Sequence, residues 1–101
     1  QPKEKVQKTR YDEKSWDGVD EGLFETLRNL RREIANQRNV PAYVVFSDAT
    51  LRDMARVRPS SVTALRGVRG VGEKKMADLG QRFLDEIVNY CRDNRIALDT
   101  D

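Results

Sequence analysis

The residues of this 101-residue chain that could do chemistry are glycines and bases set close together: Val68-Arg69-Gly70-Val71-Gly72 runs directly into Glu73-Lys74-Lys75. Glycines at the mouth of a helix let backbone amides approach an anion closely, and the two lysines add charge, so one reading is a phosphate-gripping turn. The other is a tight corner in which the glycines permit positive φ while Val71 plugs the core. Glu73 would set a negative side chain beside any bound phosphate. Both readings stand on the sequence alone.

The nucleotide-binding loops fail on spacing. Gly67 and Gly72 have the separation of a P-loop, but Glu73 occupies the lysine position and no Ser or Thr follows. A dinucleotide turn fails as well, because the position three after Gly72 is Lys75 and no strand precedes it. What remains, helix, glycine turn, helix, resembles a helix-hairpin-helix motif, whose contacts hold nucleic acid without reading its sequence.

Other chemistries find little support. The chain has no His and one Cys, Cys91, which removes histidine acid-base catalysis, a Cys/His zinc site and an internal disulfide. Asp12, Glu13, Asp17, Asp20 and Glu21 lack an ordered ligand spacing and read as solvated charge. With no nucleophile-base pair, metal cluster or intact nucleotide loop, a non-catalytic domain without cofactor or metal is expected. A lone cysteine, no apolar run near the ~20 residues of a membrane span and no signal-peptide core predict a cytoplasmic or nuclear location.

The net charge of +2 hides a strong asymmetry. Residues 1–22 hold five basic and six acidic groups, and residues 83–101 hold two and five, whereas residues 23–82 carry twelve Arg/Lys against six Asp/Glu. A basic centre between acidic ends fits a polyanionic partner, or simply a solvated set of arginines.

The elements that would position these groups are helical. Leu23, Leu27, Leu30 and Ile34 recur every three or four residues on one face of a helix that Asn39 ends, with Arg28, Arg31, Arg32 and Arg38 on other faces. Pro41 suits the first turn of a short second helix in Val40-Pro41-Ala42-Tyr43-Val44-Val45-Phe46. A strand is the alternative for these β-formers, but it would have no partner strand elsewhere. Ser47 or Asp48 caps a third helix with Leu51, Met54 and Ala55 buried, and Pro59 follows its end. Ser60 or Ser61 caps a short helix carrying Val62 and Leu65. Met76, Leu79, Phe83, Ile87 and Tyr90 line a long final helix from about Glu73 to Asn94. The prediction is an all-α bundle of about five helices spanning residues 20–95. A charged linker at 1–19, whose Trp16 packs back on the domain edge, precedes it, and a tail at 96–101 follows. The missing initial Met suggests a piece of something longer.

Taken in order, "LFETLRNLRREIA", "NVPAYVVFSDATLRDMA", "RP" with its short helix, and "VRGVGEKKMADLG" resemble the HRDC domain, the helicase-and-RNase-D C-terminal module, over about residues 20–92. "NVPAYVVFSDATL" is most like the HRDC domains of bacterial RecQ-type DNA helicases. The resemblance implies an accessory domain tethered to a helicase motor, monomeric in isolation and without catalytic residues of its own. It would contact single-stranded or junction-like DNA, or dock on the helicase core or another repair protein without touching DNA.

Carried over residue by residue, the resemblance places Tyr43 where such domains present an aromatic at the end of the first interhelical loop. There it would either stack on an unpaired base or close the core as a half-buried ring. Arg38 and Arg52 should flank that loop, with Arg56 one turn beyond Arg52 on the same face. With Lys74 and Lys75 they complete the candidate contacts to nucleic acid.

Overall fold

The computed structural model describes residues 16–100, and every regular element among them is helical. α1 (Glu21–Arg38), α2 (Ala42–Val45), α3 (Asp48–Val57) and α4 (Val62–Arg66) come first. The chain ends in one continuous rod: α5 (Glu73–Lys75), a π-helical segment (Met76–Gly80) and α6 (Gln81–Asn94).

α1, α3 and α4 start where a short polar side chain satisfies an orphan amide. Asp20 accepts from the Leu23 amide at 2.9 Å, Ser47 from Thr50 at 3.2 Å and Ser61 from Ala64 at 3.1 Å. Each such cap stabilises its helix by about 1 kcal/mol relative to alanine. Asn39 ends α1 in the left-handed region, its amide reaching back to Ala35 and Asn36.

α1 is the central element and packs against α2, α3 and α6, while α4 packs under the π segment and α6. Leu23, Leu27, Leu51, Met54, Leu65, Phe83 and Ile87 are fully buried at the centre. Phe46 meets Phe83 edge-on with ring centroids 4.9 Å apart. Removing a large core side chain such as Phe83 would cost about 3–5 kcal/mol.

The final helix is not regular throughout, as the sequence periodicity had implied. Gly80 lacks a side chain, and Met76 fills the place: a Cβ on Gly80 would lie 2.1 Å from the Met76 Cε. The rod widens by one residue there into a π turn.

The chain on either side of the bundle is held to it. Most of the expected linker, residues 1–15, lies outside the described residues, but Trp16 packs edge-on against Phe24 at 4.8 Å between centroids. Residues 96–100, expected as a tail, pack back on the bundle. Ile96 and Leu98 rest on the core, the Asp99 and Thr100 amides donate to Arg58 and Val57 at 2.6 and 2.8 Å, and Asp99 accepts from the Ser60 amide at 2.9 Å. The segment is too short to show a helical period, so its two apolar residues gave no signal.

Candidate nucleic-acid interface

Tyr43 sits in the single turn of α2, between the αL stop at Asn39 and the Ser47 cap. Four residues complete one helical turn, so α2 must divide its side chains between inside and outside. Val45 and the following Phe46 are 2% exposed, whereas Tyr43 is 73% exposed and Val44 42%. The half-buried reading of Tyr43 is therefore wrong. The core at this corner is closed by Val45 and Phe46, which leaves the phenol in solvent.

The turn is braced from two sides. Arg31, on α1, donates to the Phe46 carbonyl at 2.9 Å and pairs with Asp48 at 2.7 Å. Lys75 donates through Nζ to the carbonyl oxygens of Val44 and Val45, and its ammonium lies 5.7 Å from the Phe46 ring centroid. Carbonyls at the end of a four-residue helix lack intrahelical partners, so a cation there both satisfies them and complements their partial charge.

Lys75 thereby joins the two regions that the sequence presented as separate. A groove of about 260 Å³ runs between the α2 turn and the rod, lined on one side by Arg38, Val40 and Val44 and on the other by Lys74, Lys75 and Asp78. Tyr43 precedes Val44, which lines it, along the chain. Arg38 grips Asp78 in a two-pronged pair, Nη1 to Oδ2 at 2.6 Å and Nη2 to Oδ1 at 2.8 Å. Hydrogen bonding to the Arg38 guanidinium, with its charge adding to the effect, holds the Asp78 carboxyl below the usual range. The same bonds push Arg38 upward.

Arg52 and Arg56 do not join this group. The expectation that Arg52 flanks the Tyr43 loop fails, because its guanidinium lies 5.5 Å from the ring centroid of Trp16, which itself packs on Phe24. Phe24 is fourteen residues before Arg38 on α1, roughly 21 Å along the axis. Arg56 sits at that far end too, donating to the Asp17 carbonyl at 2.8 Å and pairing with Asp53.

Arg58, not singled out by the sequence, is held most firmly: it donates to Ala97 at 2.8 Å, Ala55 at 2.9 Å and Gly18 at 3.3 Å while its own φ is +53°. These side chains tie loops and chain ends together. The fold position of each arginine, invisible in sequence, decides whether its charge faces a groove or a carbonyl.

The glycine turn also separates into two cases. Gly70 has φ +92°, and an added Cβ would come 2.1 Å from the Thr50 Oγ1, so conformation and space both demand glycine. Val71 is 3% exposed and packs into the core. Gly72 has an extended backbone, and a Cβ there would meet nothing within 4 Å. Among the described residues no three His, Cys, Asp or Glu side chains gather as a metal site, and no helix is long and apolar enough to cross a membrane.

Fold and sequence together define a small all-helical domain with an exposed aromatic next in sequence to a residue that lines a groove of basic side chains. The chain belongs to the HRDC domain family, whose profile matches residues 20–87. It is 49% identical over 70 residues to the ATP-dependent DNA helicase RecQ of Bacillus subtilis, covering 69% of this chain and 12% of that protein. It is 43% identical over 71 residues to RecQ of Pasteurella multocida, covering 70% and 11%. The chain thus spans about a tenth of the length of these relatives. Among solved structures it resembles D. radiodurans RecQ HRDC domain 3, with a TM-score of 0.65 and 41% identity over 67% of this chain and 90% of that one.

Proposed function

We propose that this domain binds single-stranded or junction-like DNA weakly and without sequence preference, and that it modulates a helicase motor to which it is tethered. It contributes no catalysis of its own. The observation that carries this reading is Tyr43: a large aromatic, 73% exposed, directly before Val44, which lines a groove with Arg38, Lys74 and Lys75. An accessible phenol offers a stacking face to any unpaired base, and nearby cations attract the phosphates without reading the bases. A weak site suffices when a tether holds the strand and motor together, because the second contact becomes intramolecular.

Titration of a fluorescein-labelled oligothymidine with the chain at 50 and 200 mM salt tests the proposal. Binding that weakens with salt and is lost with Tyr43→Ala supports it. Binding indifferent to salt removes the phosphate contacts from the mechanism.

Val44, 42% exposed next to Tyr43, favours a second reading in which the same corner docks on a protein such as the helicase core. An NMR titration separates the two. Shifts at Tyr43 and Arg38 on adding oligothymidine support DNA contact, whereas silence with DNA and shifts with the helicase core support docking.

A further inference from the structure

Asp78 is the one carboxylate lining the groove, and it occupies the guanidinium edge of Arg38 through bonds of 2.6 and 2.8 Å. The two residues are forty apart in sequence and meet only because α1 ends against the rod. Three features make this pair exchangeable. Arg38 and Asp78 are 46% and 47% exposed, so solvent and ligand reach both partners. An exposed ion pair contributes little to fold stability, and the guanidinium fork donates to a phosphate in the same two-pronged geometry as to a carboxylate. Finally, Lys75 is committed to the Val44 and Val45 carbonyls, which leaves Arg38 as the groove's planar phosphate-binding group.

We infer that Asp78 is an internal competitor of nucleic-acid phosphate for Arg38, and that it attenuates binding at the Tyr43 face. The inference rests on the DNA-binding reading above. In the free domain the carboxylate holds the guanidinium in place. A strand whose base stacks on Tyr43 brings a phosphate to Arg38, and the carboxylate must yield. Affinity at this face is therefore set by an exchange rather than by a simple gain of charge. Removing the competitor should tighten binding and expose one further phosphate contact.

The test is a double-mutant cycle on the whole chain, read by anisotropy of labelled oligothymidine from 25 to 200 mM salt. Asp78→Asn keeps the shape and removes the charge, Arg38→Met removes the guanidinium, and thermal melts check that each variant folds. Asp78→Ala provides a second removal of the carboxylate.

Expected is about two- to five-fold tighter binding for Asp78→Asn at low salt, the range an exposed pair can supply, with a salt slope steeper by about 0.7. The gain should vanish when Arg38→Met is also present. An equal gain with and without Arg38 would make Asp78 a distant repulsive charge and overturn direct competition. Unchanged binding in Asp78→Asn, while Tyr43→Ala still weakens it, overturns the inference and leaves the DNA reading intact. If neither the parent chain nor Asp78→Asn binds oligothymidine, the DNA reading fails and the inference fails with it.

Discussion

Lys75 Nζ lies 2.9 Å from the carbonyl oxygen of Val45 and also donates to the carbonyl of Val44, so a residue of the glycine-hairpin helix closes the turn that carries Tyr43. This contact gives Lys75 a part in holding the turn that carries the aromatic. Lys75→Met should lower stability by about 1–2 kcal/mol, since it leaves two carbonyls without their charged donor, and should broaden the NMR signals of residues 43–46. Lys74→Ala, at an exposed position one residue earlier, should leave stability within about 0.5 kcal/mol and flatten the salt slope of oligonucleotide binding. Urea unfolding and salt titration of both variants separate the two roles. Equal loss of stability in both would remove the distinction.

Tyr43→Ala takes little from the core, because Val45 and Phe46 fill it. Stability should change by less than about 0.5 kcal/mol, while binding to oligothymidine weakens by about 1–3 kcal/mol. Tyr43→Phe keeps the ring and should bind within a factor of about two, whereas loss of binding in Phe would assign the hydroxyl, and not the ring, to the contact.

The two hairpin glycines should respond oppositely to substitution. Gly70→Ala forces a Cβ into the Thr50 side chain at positive φ and should cost more than about 2 kcal/mol in a urea melt. Gly72→Ala enters open space with ordinary backbone angles and should be neutral in the melt. If it nevertheless weakens oligonucleotide binding, the hairpin backbone touches the strand as well.

Cys91 is 1% exposed, and burial raises its thiol above the ordinary range. The direction of the shift disfavours thiolate, so the folded protein should react slowly with an aromatic disulfide reagent at pH 7–8, at a rate limited by opening of the helix. Urea at concentrations that unfold the chain should restore the reactivity of an ordinary thiol. Rapid labelling of the native protein would contradict the packing around α6.

Much of the fold was legible because local rules agree with one another. The apolar period in α1 points Leu23, Leu27, Leu30 and Ile34 inward, and Asp20, Ser47, Ser61 and Asn39 stand where caps and stops belong. Tyr43 was legible as a candidate, but its exposure depended on Val45 and Phe46 winning the inward positions of a four-residue turn. The arginines were the least legible. Arg38 faces Asp78, Arg52 faces Trp16 and Arg58 faces Ala97, contacts set by where helices cross rather than by spacing along the chain. The π turn at Met76–Gly80, where the Met76 side chain lies over Gly80, left no mark on the apolar period of the helix.

Arg58 binds the carbonyls of both Gly18 and Ala97, so the chain enters and leaves the bundle within reach of a single guanidinium. The first and last described segments of the bundle are therefore fastened at one point. A pull through residues 18 and 97 would load this clasp before it reached α1 or the rod. The Tyr43 corner lies a helix length away, at the other end of α1.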